Sequence, residues 1–253
     1  KMRSMKNFLL ILCMVLTGGV LFAQDRAQGK NDPEFFPIAV WAQNPTNASA
    51  YKENGINMYI SIHGGIDQEK LDHLKKADMK FITHQNKFGL TRLDEPLIYG
   101  WMHGDEPDNA QRSKTPNKWD PCKDPADIIR DYEKIKKNDP SRPVYLNLGR
   151  GVSYENWVGR GVCRGRTDLY KVSNNGYLKG CDIASFDIYP VNSREEEVEG
   201  QLWYVAKGIN SLQEWSDNKH CLAFPQESRR HSISFNINIV SLEMLDAVLR
   251  NGA

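Results

Sequence analysis

The sequence predicts an α/β fold whose parallel sheet closes into a (β/α)8 (TIM) barrel. Three observations carry this. Seven short apolar runs alternate with helical patterns, which calls for a parallel sheet with helices outside it. No glycine-rich phosphate fingerprint follows the first run, as a doubly wound nucleotide-binding sheet would carry. Polar residues recur at the C-terminal ends of the runs, on the face where a barrel of about 250 residues assembles its site.

The elements follow in order. Residues 1–23 read as a signal peptide: Lys1, Arg3 and Lys6 are basic, Phe8 to Leu16 is apolar but short for a stable anchor, and Leu21-Phe22-Ala23 fits a cleavage site. The chain is therefore expected to be secreted or periplasmic, with no stable membrane anchor after cleavage. Residues 24–35 form a polar linker, and residues 36–253 form the barrel domain. Pro37 to Ala42 is the first strand, and a short helix, Asn47 to Asn54, stops at Gly55. Ile56 to Ile62 is the second strand. The next helix, Asp67 to Asp78, lines up Leu71, Leu74 and Ala77 on one face. Met79 to Thr83 is the third strand, Lys87 to Pro96 a loop, and Leu97 to His103 the fourth strand.

Asp124-Pro125 caps the following helix, whose buried stripe is Ile128, Ile129, Tyr132 and Ile135. Pro143 to Leu148 is the fifth strand. Gly149 to Lys179 is a long irregular segment, a length that marks functional loops in compact domains. Cys181 to Tyr189 is the sixth strand. Glu195 to Trp215 is predicted as one helix, with Glu195 to Glu197 at the positive end of its dipole. Cys221 to Phe224 is a short seventh strand and Val240 to Arg250 a last helix. An eighth strand is due where the sequence stops, so the barrel is expected to lack it through truncation of the C-terminus.

Thirty-three basic residues against 32 acidic ones leave a net charge of +1, which argues against a nucleic-acid surface. Cys13 lies in the signal peptide. The spacing of Cys122, Cys163, Cys181 and Cys221 matches no zinc pattern. It leaves two readings open, a Cys122–Cys163 bridge on one rim or free thiols.

A barrel gathers the strand ends onto one rim. These ends carry Trp41, His63, His84, His103 with Asp105 and Glu106, Asn147, Asp187 with Tyr189, and Glu227. Glycoside hydrolysis needs two carboxylates flanking the scissile bond, one protonated and one ionised. Glu106 and Glu227 are the candidate catalytic pair. Trp41, His63, His84, His103, Asp105, Asn147, Trp157, Asp187 and Tyr189 are the candidate carbohydrate-binding residues, with Tyr189 placed to hydrogen-bond the nucleophile. No metal or cofactor is called for. A rival reading places a divalent metal on His63, His84, His103 and Asp187 for amide or ester hydrolysis. A third is a non-catalytic carbohydrate-binding barrel.

The order PIAVWA, GWMHGDEPD, RPVYLNLG, CDIASFDIYPV and AFPQES resembles retaining glycoside hydrolases of clan A. It is most similar to bacterial family 42-like, β-galactosidase-like members. The resemblance implies a (β/α)8 barrel acting on β-linked oligo- or polysaccharides, with Glu106 as acid/base and Glu227 as nucleophile. Asp105-Glu106-Pro107 stands where the clan has Asn-Glu-Pro, and Glu227 aligns only with one inserted residue near Pro225.

Overall fold

In a computed structural model, residues 35, 37–155, 167–191, 193–216, 220–225 and 238–239 are described. The chain divides after Phe35, and the fold belongs to the unit Phe36–Ala253. The signal-peptide reading, the final helix, Cys163, Trp157 and Glu227 lie outside the described residues. Among the described residues no helix is long and apolar enough to cross a membrane.

The strands in chain order are β1 (Ile38–Trp41), β2 (Met58–Ile60), β3 (Lys80–Thr83), β4 (Ile98–Met102), β5 (Gln111–Arg112), β6 (Trp119–Asp120), β7 (Val144–Leu148), β8 (Ile183–Ile188), β9 (His220–Pro225) and β10 (Asn238–Ile239). The helices are α1 (Ala48–Glu53), α2 (Gln68–Lys76), α3 (Lys87–Leu90), α4 (Pro125–Asn138) and α5 (Trp203–Trp215). One sheet runs β10-β1-β2-β3-β4-β7-β8-β9, while β5 and β6 form a separate hairpin. Every neighbouring pair from β1 to β9 in that sheet is parallel. At the free edge of β1, β10 pairs antiparallel, Ile38 opposite Ile239. The eighth parallel position of the expected barrel is thus met by a short reversed segment.

The sheet curls. Three strands separate β1 from β7, yet the rings of Trp41 and Tyr145 are 6.3 Å apart. A flat sheet, with strands about 4.8 Å apart, would hold them about 19 Å apart. The architecture is an α/β partial barrel with helices outside.

Side-chain alternation sorts the strands into two faces. Leu146, Leu148, Ala184, Phe186 and Ile188 join Ile128, Ile209 and Leu212 in one buried cluster. Val40, Tyr59, Phe81 and Trp101 join Leu71 and Leu74 in another. The alternate positions Tyr145, Asn147 and Ser185 are also buried but form a polar set linked by hydrogen bonds. All five residues of β7 are buried, as expected for a parallel strand covered on both faces.

Local signals explain most helix starts. Asp67 accepts from Lys70 N at 2.9 Å and Asp124 from Ala126 N at 2.8 Å, each satisfying a donor the first turn leaves open. Asn86 does the same for Gly89 N at 2.7 Å, so α3 is a short helix within a segment expected to be loop. The predicted helix from Glu195 is corrected: α5 begins at Trp203. Glu195 is held by the Ser193 hydroxyl and by Arg150 at 2.8 Å. Gly200 takes φ +74° and donates its N–H to Pro190 O, which bends the chain where the apolar spacing suggested a continuous helix. Leu202, just before α5, is 62% exposed.

One buried staple fixes the base of β4. Asp139 accepts from Trp101 Nε1 at 2.8 Å, from Arg142 Nη1 at 2.8 Å and from Ser141 N at 3.0 Å. Burial alone would raise its pKa, but these bonds draw it down to about 2. Asp139→Ala leaves the fully buried Trp101 indole N–H without its acceptor. It is expected to cost about 2 kcal/mol, a fall of about 6 °C in melting temperature. An unchanged melting temperature would show that water replaces the carboxylate.

Candidate active site

The chemistry centres on the segment after β4. Past the end of the β4–β7 pairing at Met102, His103 N bonds Tyr145 O at 3.0 Å and Glu106 N bonds Asn147 O at 3.1 Å. Three residues of one chain therefore span two of its neighbour. That one-residue excess is a β-bulge, a device that re-aims a side chain at a sheet edge. Glu106 takes φ +43°, a left-handed conformation that costs a non-glycine residue about 1 kcal/mol. Its carbonyl accepts from Asn109 N and Gln111 Nε2, both at 3.1 Å, so the surrounding turn holds the strained residue in place.

Around Glu106 the fold gathers carboxylates. Asp187 stands at the end of β8, where Tyr189 donates to its Oδ2 at 2.9 Å. Asn147 Nδ2 donates to Asp105 Oδ1 at 2.8 Å, and an Asn147 hydrogen bond also reaches Asp187. Asn147 Oδ1 accepts from Ser185 Oγ at 2.6 Å, which fixes the amide so that its donors face the two acids. Asp108 is buried and accepts from Gly149 N at 2.8 and 3.0 Å and from the Tyr170 hydroxyl at 2.8 Å. It ties the turn after β4 to the loop after β7.

Crowding sets the electrostatics. Burial, then the charges of Asp187, Asp105 and Asp108, raise the Glu106 carboxyl to about 8 against a weaker opposing bond from Asn109. Asp187 rises to about 7 through burial and the charge of Asp105, partly offset by Tyr189 and Asn147. Asp108 rises to about 6, mainly through burial. Glu106 and Asp187 titrate as a coupled pair, each held up by burial and by the other acids. The pair therefore retains a proton to higher pH than free carboxyls would, which is the condition a general acid requires.

The structure brings together Asp105, Glu106, Asn147, Asp187 and Tyr189 from the expected set. Trp41 is half-buried against Tyr145 on the sheet's polar face. The histidines are elsewhere. His63 is exposed in the turn after β2. His84 is exposed, with Nδ1 3.2 Å from Met102 O. The buried His103 ring has Nε2 2.8 Å from Gly180 O. His84 and His103 line a separate cleft with Lys87, Asp131 and Lys134. Among the described residues no group of three or more His, Cys, Asp or Glu is arranged to hold a metal ion. The rival metal reading, which needed His63, His84, His103 and Asp187 together, therefore finds no site. Cys181 is buried with its thiol 3.6 Å from Leu178 O.

Sequence reasoning missed Asp108, Ser185 and the β5–β6 hairpin, which carries Gln111, Arg112 and Trp119 beside Glu106. The hairpin had a signal: Thr115-Pro116-Asn117 is turn chemistry between two short extended pairs. Its strands of two residues are too short for alternation to register.

Neither a scan of protein-family models nor a search of curated proteins finds a match to the chain. Solved structures do match in fold. A β-glucuronidase from Bacteroides uniformis superposes with a TM-score of 0.50 at 14% identity, over 85% of this chain and 28% of that one. The fold is one that glycoside hydrolases use. A GH2 β-galacturonidase from Eisenbergiella tayi bound to glycerol matches with a TM-score of 0.49 at 15% identity, over 78% of this chain and 36% of that one. The chain spans about a third of the length of these proteins. At 14% identity the likeness is one of fold alone, and it does not single out the family 42 resemblance read from the sequence.

Proposed function

We propose that this protein is a retaining glycoside hydrolase cleaving β-glycosidic bonds in oligo- or polysaccharides, with Glu106 as acid/base. The observation that carries the reading is the position of Glu106, at φ +43° just past the C-terminal end of β4 and beside Asp105, Asp108 and Asp187, where burial and their charges push its carboxyl up. In the first step a second carboxylate attacks the anomeric carbon while Glu106 protonates the departing oxygen. In the second, Glu106, now ionised, takes a proton from the water that opens the glycosyl-enzyme. Glu227 keeps the nucleophile role that its place after β9 suggests.

Burial comes first and the charges of Asp187, Asp105 and Asp108 next in raising the Glu106 carboxyl, while Glu227 lies outside the described residues. The Tyr189 hydroxyl, expected on the nucleophile, is bonded to Asp187.

The test is turnover of 4-nitrophenyl β-glucoside, β-galactoside, β-xyloside and β-glucuronide between pH 4 and 10. Hydrolysis should occur on at least one, with kcat/KM falling on the alkaline side near the Glu106 value of about 8. Disaccharide binding without turnover of any of the four would instead support the non-catalytic reading.

A further inference from the structure

The β5–β6 hairpin has no part in the two-carboxylate scheme, yet it forms one wall of a pocket of about 210 Å³ whose other wall is the acid. The lining is Asp105, Glu106, Ala110, Gln111, Arg112 and Trp119. We infer that this hairpin is the binding subsite for the leaving-group sugar, with Trp119 as the stacking platform and Arg112 as the donor to ring hydroxyls. The inference rests on the glycoside hydrolase reading of Glu106.

Position comes first. Glu106 must reach the oxygen between the two sugars, so a ring touching both Glu106 and the hairpin lies on the leaving-group side. Asn147, Asp187 and Tyr189 reach the acids from β7 and β8 and are not part of this pocket's lining. The pocket volume corresponds to about seven waters, the scale of a single monosaccharide.

The hairpin is built to hold still. Gln111 Nε2 donates to Glu106 O at 3.1 Å and to Asn109 O at 2.7 Å, which couples the hairpin base to the acid's own backbone. Its turn is closed by Ser113 N to Lys118 O at 3.3 Å and Lys118 N to Thr115 O at 3.2 Å. Asn117 occupies the left-handed position at φ +58°, which asparagine tolerates better than most residues.

The register then supplies the chemistry. Arg112 pairs with Trp119 and Gln111 with Asp120. Directly opposed residues share a face of an antiparallel pair, so the indole and the guanidinium lie side by side. Trp119 is 43% exposed on a short two-stranded element; among the described residues the other exposed large apolar side chains are Val191, Leu202 and Trp203. The apolar face of a pyranose can cover the indole, and the guanidinium offers several donors to its hydroxyls.

The experiment compares Trp119→Ala, Trp119→Phe and Arg112→Ala with the full-length wild type on cellobiose, lactose and the matching methyl β-glycosides. Trp203→Ala is the control, since Trp203 is an exposed tryptophan remote in sequence from the hairpin. The expected result for Trp119→Ala is a loss of about tenfold in kcat/KM on the disaccharide relative to the methyl glycoside. It should arise mainly in KM, with Trp119→Phe recovering most of it. An unchanged ratio overturns the subsite. If the wild type hydrolyses none of these sugars, calorimetric binding of the two disaccharides decides independently. Binding that is lost in Trp119→Ala and kept in Trp203→Ala sustains the subsite while the hydrolase reading fails. No binding, or equal binding by both variants, overturns it.

Discussion

Glu106→Ala is expected to lose about 10³-fold in kcat/KM on glycosides whose leaving group is a sugar or an alcohol. The same variant should lose less than about tenfold on a 2,4-dinitrophenyl glycoside. The contrast follows from the proposed role. An alkoxide leaves poorly unless protonated, whereas dinitrophenolate is stable as an anion and needs no acid. With that substrate the second step becomes limiting, because no base activates the water. Azide, an anion that needs no base and fits the space left by the carboxyl, should restore turnover and release a β-glycosyl azide. The alkaline limb near pH 8 should disappear from the profile, since the group that titrates there is gone. Equal losses on both substrates, with no azide product, would mean that Glu106 holds the turn rather than a proton.

The location of this acid was legible because strand ends are. The run from Leu97 to His103 is apolar enough to be a covered strand, and Asp105-Glu106-Pro107 cannot continue it. The same logic found β7 and β8 and placed Asn147, Asp187 and Tyr189 at one rim. Capping chemistry at Asp67 and Asp124 located α2 and α4. What sequence could not supply was direction. His103 immediately follows β4, but its ring reaches Gly180 O, on a 3-10 turn far away in sequence. The bulge that turns Glu106 inward is a one-residue mismatch between two chains, visible only once both are paired. The helix expected from Glu195 had correct apolar spacing, but Glu195 is held by Ser193, two residues before it, and by Arg150, 45 residues away in sequence. Periodicity reads which residues face a core; it does not read which distant side chain claims a carboxylate.

Asp187→Asn should separate the electrostatic role of this neighbour from its structural one. Asparagine keeps the shape and removes the charge that is the largest influence on Glu106 after burial. The Glu106 pKa should therefore fall, moving the alkaline limb of kcat/KM acidward by about one pH unit. Stability provides a second readout with a definite sign. A carboxyl raised from 4.5 to about 8 in the fold keeps its proton over a window in which the unfolded chain has released it. The native state then binds more protons than the unfolded one, so stability falls as pH rises through that window. Asp187, raised from 3.8 to about 7, acts in the same direction. The wild type should melt on the order of 10 °C lower at pH 9 than at pH 5. Glu106→Gln and Asp187→Asn should each flatten that slope and exceed the wild type in melting temperature at pH 9, although both are impaired as catalysts. A gain in stability from removing a carboxylate is the signature of a charge held against its own preference. If the slope persists in both variants, the protons are held elsewhere, and buried Asp108, raised to about 6, is the next group to replace.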